Sequence, residues 1–230
     1  MQVGKRFGPG ILAAGLALLA LGAAAEDRRV VVNPDQPPWT AIVKVQTNIG
    51  SRCTGVLIAP AEVLTAAHCL YNPRTQALLE PVSLHVLLGY QRGAYRAHRL
   101  VKRFAVGPGF AGPRGPPTSD WARLELNEAV PSAVAPLPLA GVAPSSGMPV
   151  SLAGYNQDRA QILLADPACH VTGSISRTDG TLIIHDCAAT RGTSGAPLLF
   201  QHGGGWAVLG INLGAGRGSN LALGITGITP

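Results

Sequence analysis

The sequence predicts an all-β protein, and three observations support this prediction. Of the 230 residues, 29 are glycine and 19 are proline, a high density of turn-forming residues without a repeating period. Charged residues make up only 13% of the chain and hydrophobic residues 47%, which excludes a disordered chain. The apolar stretches are short, and none shows the sustained 3.6-residue periodicity of a long helix.

Candidate strands recur along the chain, each bounded by glycine, proline or polar turn residues. They comprise residues 41–45, 55–59, 82–88, 121–126, 150–153, 182–184, 196–200 and 207–213. Residues 129–149 are rich in Pro, Ala and Ser and carry no charge, so this segment resists both helix and central strand. We therefore predict a crossing connection there, between an N-terminal half over residues 26–135 and a C-terminal half over residues 136–230.

The first 25 residues, 1–25, have the order of a secretory signal peptide. Lys5 and Arg6 precede an apolar run over residues 11–21, and small residues lead to a predicted cleavage after Ala25. The alternative is a membrane anchor, but the run is shorter than the roughly 20 residues that span a bilayer. We therefore expect a secreted or periplasmic protein without stable membrane association after cleavage.

The formal net charge of +6 raises the question of nucleic-acid binding. Beyond the predicted signal peptide, lysine and arginine are scattered singly except at Arg28-Arg29 and Lys102-Arg103. Such scattering gives no continuous basic surface, so we expect no nucleic-acid partner, and we expect a monomer. The pair Arg28-Arg29 marks either the end of a short pro-segment or a solvated basic pair.

The four cysteines, Cys53, Cys69, Cys169 and Cys187, form an even set in a chain predicted to be exported. An oxidising compartment favours disulfides, and the short paired spacings of a zinc site do not occur. Of the three pairings that four cysteines allow, we predict Cys53 with Cys69 and Cys169 with Cys187, because each pair is close in sequence. We predict no metal site and no cofactor.

Three short motifs carry residues suited to acyl transfer. His68 lies in the motif LTAAHC, beside a predicted disulfide, where an imidazole can exchange a proton near neutral pH. Asp120 opens a predicted strand in the motif SDWARLEL. Ser194 lies in RGTSGAP, where flanking glycines let the backbone turn sharply and direct N–H groups towards one point. Each motif alone is common in ordinary turns, but their joint occurrence indicates a catalytic site.

In these motifs the sequence resembles the chymotrypsin-like serine proteases, and in particular their bacterial glutamyl-endopeptidase-like branch. Residues 65–69 (TAAHC) resemble the family's histidine motif, residues 120–122 (DWA) its aspartate motif and residues 192–197 (GTSGAP) its serine motif. Residues 38–42 are similar to the first strand of the bacterial branch. The resemblance covers residues 30–228 and implies two packed six-stranded antiparallel β-barrels, with the active site in the cleft between them.

The resemblance also implies a role for each motif residue. Ser194 would attack the peptide carbonyl, His68 would take up and return the proton, and Asp120 would orient His68. The backbone N–H groups of Gly192 and Ser194 would form the oxyanion hole. The implied function is that of a serine endopeptidase, which hydrolyses polypeptide substrates through an acyl-enzyme intermediate without a metal or an organic cofactor.

By the same resemblance, six residues would contact substrate: Ala188, Arg191, Asn212, Leu213, Gly214 and Ala215. Ala188 stands where trypsin-like enzymes have an acid, and Asn212 stands where the glutamate-preferring branch has a histidine. We therefore expect a small or uncharged side chain before the cut, although a two-residue slip would bring Asp186 into the pocket and select Arg or Lys. Arg191 either favours acidic substrate residues or is a solvated loop cation.

The segment from Leu213 to Ala215 is the expected edge to which the substrate backbone adds as a strand. Two other functions remain open: a catalytically inactive binding protein on the same fold, and an exported esterase. The joint presence of His68, Asp120, Ser194 and Gly192 argues against the binding protein. Digestive relatives pair a new N-terminus with an aspartate immediately before the serine, but Thr193 stands there, so that activation is not available.

Overall fold

The computed structural model describes Met1, Gly4 and residues 27–216 and 219–228. The predicted signal peptide, residues 1–25, lies outside the described residues apart from Met1 and Gly4. A search of the described residues finds no helix with the length and apolar character needed to cross a membrane. The described chain is mostly β-structure, as the sequence predicts.

Fifteen strands form the described part of the chain, joined by turns and short 3₁₀ helices. The strands are β1 (Val30–Val31), β2 (Ile42–Thr47), β3 (Arg52–Ala59), β4 (Glu62–Thr65), β5 (Tyr71–Asn72), β6 (Ala77–Leu78), β7 (Leu84–Leu88), β8 (Ala97–Val106), β9 (Ala122–Leu126), β10 (Pro149–Gly154), β11 (Leu164–Arg177), β12 (Gly180–His185), β13 (Pro197–His202), β14 (Gly205–Ala215) and β15 (Asn220–Gly224). The 3₁₀ helices are Trp39–Ala41, Ala67–Leu70, Pro81–Ser83, Pro117–Ser119, Gln157–Arg159 and Ile225–Gly227.

The first barrel is closed by six antiparallel strands in the order β2-β3-β4-β9-β8-β7. Alternation along β9 shows why the sequence folds this way. Ala122, Leu124 and Leu126 are buried, whereas Arg123 and Glu125 between them are half-buried. Because successive side chains of a strand point to opposite faces, one face fills the barrel and the other meets solvent.

The second barrel is closed by the strands β11-β10-β13-β14-β15-β12, and β11 pairs with β12 to complete the ring. The prediction of two six-stranded barrels is therefore confirmed. Strand β1 adds to the outside of this ring, where Val30 pairs with Ala165 of β11. Strand β1 thus belongs to the sheet of the second barrel, although it precedes the first barrel in sequence.

The segment 129–149 contacts both barrels. The N–H of Leu137 donates to Leu57 O in the first barrel at 2.9 Å, and the N–H of Ala140 donates to Val208 O in the second barrel at 2.8 Å. The predicted crossing connection therefore bridges the two halves of the molecule.

Both predicted disulfides are present. Cys53 bonds Cys69 beside His68, and Cys169 bonds Cys187 at the start of the loop that leads to Ser194. Each bond closes a loop within one half of the molecule, with sequence separations of 16 and 18 residues. The prediction of these two pairings is confirmed.

Candidate active site

His68 and Asp120 meet at one end of the first barrel. His68 lies in the 3₁₀ helix that follows β4, and Asp120 follows the 3₁₀ helix that leads into β9. Because β4 pairs with β9, with Thr65 opposite Ala122, the two residues come together at the same edge. Neighbouring strands therefore place a histidine and an aspartate side by side from positions 52 residues apart.

Two hydrogen bonds join this pair. Asp120 Oδ1 accepts the backbone N–H of His68 at 2.8 Å, and Asp120 Oδ2 lies 2.7 Å from His68 Nδ1. A carboxylate can only accept, so Nδ1 carries the hydrogen and Nε2 of the neutral imidazole is left as the proton acceptor. Both side chains are largely shielded, with 22% of His68 and 14% of Asp120 exposed. The geometry fixes the imidazole in the tautomer that a general base needs.

Ser194 lies in a loop that only glycine allows at two positions. Gly192 has φ +95° and Gly195 has φ +77°. A Cβ at Gly195 would lie 2.1 Å from Thr65 Oγ1 and 2.3 Å from Thr54 O. The serine loop therefore presses directly against the first barrel, and the missing side chain permits this close approach.

The backbone N–H groups of this loop differ in their hydrogen bonding. In the described part of the chain, the N–H groups of Gly192 and Ser194 donate to no protein acceptor, whereas the N–H of Gly195 donates to Asn212 O at 2.7 Å. Thr54 anchors the loop from the first barrel, since its N–H donates to Ser194 O and its hydroxyl donates to Gly192 O, both at 2.9 Å. The loop can therefore offer two donors to one ligand oxygen.

Ser194 and His68 line the same cavity, which has a volume of about 490 Å³. No hydrogen bond joins the Ser194 hydroxyl to the His68 imidazole among the described residues. Such bonds are often long in a free enzyme and shorten when substrate binds. The structure thus brings the two side chains to one cavity. Ser194 is half-buried there.

A second cavity, of about 600 Å³, is also lined by His68. Leu213, Gly214 and Ala215, at the end of β14, line it together with Asp120. This placement puts the predicted substrate-binding edge next to the histidine–aspartate pair.

The remaining predicted substrate-binding residues occupy different positions. Arg191 is exposed and lines the first cavity. Ala188 is half-buried, and its N–H donates to the buried carboxylate of Asp166 at 2.7 Å. Asp186, the residue that an alignment slip would bring into the pocket, accepts the N–H of His170 at 2.7 Å and lines neither cavity.

Asn212 lies beneath the serine loop rather than on a cavity wall. Its side chain is fully buried, and Nδ2 donates to Thr193 O at 3.1 Å and to Thr193 Oγ1 at 3.2 Å. Its Oδ1 accepts Nε2 of the buried His185 at 3.1 Å. Among the described residues Nδ1 of His185 has no partner, and burial lowers the pKa of this imidazole to about 4. Asn212 therefore supports the loop from below.

Each arginine of the pair Arg28-Arg29 is ion-paired to the second barrel, although Arg28 is exposed and Arg29 half-buried. Arg28 Nη2 lies 3.0 Å from Asp166 Oδ2, and Arg29 Nη2 lies 2.7 Å from Asp158 Oδ2. The bond from Arg29 lowers the pKa of the Asp158 carboxyl to about 2. Asp166 also accepts the N–H of Ala188, so the arginines tie down the loop that leads to Ser194.

The cysteine sulfur atoms near His68 and Asp186 belong to the two disulfides. A sulfur in a disulfide is not a thiolate and offers no ligand of the kind that binds zinc. These two clusters therefore do not provide a thiolate metal site.

Sequence reasoning missed three residues of this region: Lys44, Thr54 and Asp166. Lys44 interrupts an apolar strand and lines the first cavity, so an isolated charge among buried residues was a usable signal. Thr54 and Asp166 sit in ordinary strand contexts. Their contacts with the serine loop and with Ala188 depend on packing that no local pattern reports.

The two-barrel architecture, with a histidine–aspartate pair facing a glycine-flanked serine, defines the chymotrypsin-like class of proteins. The sequence model of the trypsin family matches residues 29–230. The chain therefore belongs to the trypsin family.

Individual relatives agree with this assignment. The chain is 26% identical over 180 residues to a glutamyl endopeptidase of Bacillus licheniformis, across 77% of this chain and 54% of that protein. It thus spans about half the length of this curated relative. A solved structure of a Glu endopeptidase in complex with MPD superposes with a TM-score of 0.73 at 23% identity, covering 87% of this chain and 92% of that one. The predicted resemblance to the glutamyl-endopeptidase-like branch is confirmed.

Proposed function

We propose that this protein is an exported serine endopeptidase, and the observation that carries the proposal is the His68–Asp120 pair beside Ser194. Asp120 holds His68 at 2.7 Å in the tautomer whose Nε2 can accept a proton. Ser194 shares a cavity with that imidazole. This is the arrangement that acyl transfer requires of a nucleophile, a base and an orienting acid.

The proposed reaction has two stages. Ser194 Oγ attacks the peptide carbonyl while His68 takes the hydroxyl proton. The resulting oxyanion accepts hydrogen bonds from the backbone N–H groups of Gly192 and Ser194. His68 then protonates the leaving amine, which departs and leaves an acyl-enzyme. Water then attacks the ester carbonyl while His68 takes its proton, and His68 returns that proton to Ser194 Oγ as the acid product leaves. One oxyanion donor typically contributes about 3 kcal/mol of transition-state stabilisation.

Asp120 acts through His68 in this scheme, because it stabilises the imidazolium that forms in both stages. Asp120→Asn would favour the wrong imidazole tautomer, and we expect kcat to fall by about ten-thousandfold while the fold remains intact. The measurement is peptide hydrolysis together with circular dichroism of the variant. Retention of wild-type kcat by Asp120→Asn would contradict the proposed base.

Polypeptide substrate is proposed to add along Leu213, Gly214 and Ala215, where the end of β14 borders the second cavity. The related protein is named a glutamyl endopeptidase, but Asn212 is buried here and its amide is engaged by Thr193 and His185. Ala188 carries no charge. We therefore propose a small or uncharged residue before the cut, and cleavage of a mixed peptide pool predominantly after Arg, Lys or Glu would overturn this preference.

A fluorophosphonate probe, which reacts with an activated serine, tests the proposed function. We expect labelling of wild-type protein and its loss in Ser194→Ala, with peptide hydrolysis falling at least about a thousandfold. Ser132→Ala, which changes an exposed serine of the connecting segment, should label like wild type. Absence of labelling in correctly disulfide-bonded wild type would favour the alternative function, an inactive binding protein on the same fold.

We further propose that the protein acts as a secreted or periplasmic monomer.

A further inference from the structure

Lys44 is a buried cation in the seam between the two barrels. It lies on β2 with only 1% of its surface exposed, and its neighbours along the strand are apolar. Its Nζ lies 3.8 Å from the centre of the Tyr90 ring, in a cation–π contact, and 5.5 Å from that of Tyr155. A lysine is rarely buried this completely without an anionic partner.

The ammonium group of Lys44 is only partly satisfied. Nζ donates one hydrogen bond, to Ala160 O at 2.7 Å, although an ammonium carries three N–H donors. No carboxylate pairs with it in the described part of the chain. Burial lowers the pKa of Lys44 to about 8, and the nearby charge of Arg52 contributes in the same direction. A bound carboxylate would supply the missing counter-charge.

The cavity that Lys44 lines is the one it shares with His68 and Ser194. Arg52 and Arg191 lie on its rim, and both are exposed. Across the described ranges, neither guanidinium is ion-paired to a carboxylate, and the described lining of this cavity contains no Asp or Glu. Three cationic side chains therefore surround a volume of about 490 Å³ that opens onto the nucleophile.

The position of this cavity identifies the part of the substrate that would enter it. The edge formed by Leu213 to Ala215 borders the other cavity, where the acyl side of the substrate is proposed to lie. The cationic cavity is instead bordered by Gly192 and by the Cys53–Cys69 disulfide. It therefore faces the residues that follow the scissile bond.

We propose that the cavity around Lys44 binds an acidic side chain of the substrate on the leaving-group side of the cut. The proposal rests on the endopeptidase function proposed above. Lys44 would donate its unused N–H groups to the carboxylate from below, and Arg52 and Arg191 would approach it from the rim. Such charge-assisted bonds are stronger than neutral ones, and a buried cation already in place does not have to be ordered when substrate binds.

Two peptides that differ only after the cut test this proposal. They share one acyl side and carry Glu or Gln at the second residue after the scissile bond. A charge-assisted hydrogen bond of about 1.5 kcal/mol or more predicts that kcat/KM for the Glu peptide exceeds that for the Gln peptide by about tenfold or more. Equal values of kcat/KM, or a preference for Gln, would overturn the proposal.

Three variants locate the preference. Lys44→Met keeps the length of the side chain but removes its charge, and we expect the Glu to Gln ratio to fall to about twofold or less, given the bond energy above. Arg191→Gln changes an exposed residue, so it should fold, and it should lower the ratio partly. Lys102→Met, on the outer surface of the first barrel, removes the same charge and should keep the wild-type ratio. An unchanged ratio in both Lys44→Met and Arg191→Gln would overturn the site.

Binding of the same peptides to Ser194→Ala separates this inference from the proposed function. Fluorescence anisotropy measures affinity without hydrolysis, and we expect the Glu peptide to bind about tenfold more tightly. If neither peptide is cleaved by wild type but this difference persists, the endopeptidase proposal fails and the anionic site stands. If cleavage occurs without any difference in affinity or rate, the anionic site fails and the endopeptidase stands.

Discussion

In the first barrel, His68 and Asp120 bond each other directly, whereas the serine loop of the second barrel depends on contacts gathered from several distant elements. The His68–Asp120 pair needs only two neighbouring strands, β4 and β9. Below the serine loop lies a chain of buried polar groups, in which His185 bonds Asn212 and Asn212 bonds Thr193. A loop whose N–H groups must point outwards cannot satisfy itself by strand pairing, so buried side chains hold it instead.

The contact between the barrels at Gly195 should give the largest effect. We expect Gly195→Ala to lower the free energy of unfolding by more than about 4 kcal/mol or to prevent folding, because the new Cβ would overlap Thr65 Oγ1 and Thr54 O. Gly204→Ala is the matched control, since it has φ +81° but no atom within 4 Å of a new Cβ. Backbone strain alone should lower the free energy of unfolding of that control by only about 1 kcal/mol. Urea denaturation measures both values. Equal losses would show that the barrels do not press together at the loop.

Removal of the buried carboxylate of Asp166 is expected to come next. Asp166→Ala should lower the free energy of unfolding by about 3 kcal/mol, because the N–H of Ala188 loses its acceptor and Arg28 loses its buried partner. Glu125 in the first barrel also bonds two cations, but it lies at the surface. Glu125→Ala should leave the free energy of unfolding nearly unchanged. Similar losses in both variants, measured by denaturant titration, would remove this difference between the barrels.

The buried imidazole of His185 should make the second barrel sensitive to acid. Its folded pKa of about 4 lies below the value near 6.5 of a free histidine, so between these values the unfolded chain binds a proton that the folded chain does not. The free energy of unfolding should therefore fall as the pH drops from about 6.5 to about 4, by up to about 3 kcal/mol. Thermal unfolding of wild type and of His185→Gln across this range measures the difference.

The control for this prediction lies in the first barrel. Burial also lowers the pKa of His98, with further contributions from His85 and Arg99, but His98 is half-buried at the barrel surface. We expect His98→Gln to change the pH dependence less than His185→Gln does. A wild-type slope in His185→Gln would show that His185 is not the group that titrates.

The smallest effect is expected at Thr54, where the first barrel bonds the serine loop. Thr54→Val keeps the shape of the side chain but leaves Gly192 O without its donor and the N–H of Tyr155 without its acceptor. We expect the free energy of unfolding to fall by about 1 to 2 kcal/mol. We also expect slower fluorophosphonate labelling, because Gly192 is less firmly oriented. Thr47→Val, elsewhere on the same barrel, should lower stability modestly without slowing labelling.

Much of the fold follows from local patterns. Short apolar stretches predicted most of the strands, and the charge-free segment 129–149 predicted the connection between the halves. Strand β8 was missed because Arg99, Lys102 and Arg103 interrupt its apolar residues, and only two of its ten residues are buried. Strand β11 was missed for a similar reason, since eight of its 14 residues are exposed. Strands that are exposed on one face carry too little apolar signal to be recognised in sequence.

The candidate site divides in the same way. Short sequence motifs predicted the three residues His68, Asp120 and Ser194. The motif of His68 includes a disulfide cysteine, and that of Ser194 includes glycines that permit a sharp turn. Asn212 was predicted to contact substrate, but its burial beneath the loop depends on how β14 packs against His185 and Thr193. The role of Arg28 was equally inaccessible, because its partner Asp166 is 138 residues away. Long-range pairing of polar groups is set by the fold and leaves no mark in local sequence.

The ion pairs of Arg28 and Arg29 limit where this chain can be trimmed without loss of its contacts to the second barrel. A protease that recognises basic residues would cut at the Arg29–Val30 bond and release both guanidinium groups from the second barrel. Asp166 and Asp158 would then lose their counter-ions, so such a cut should inactivate the protein by loosening the serine loop. Cleavage before Asp27 would instead leave this N-terminal segment bound to the second barrel. The two arginines would then have a structural role.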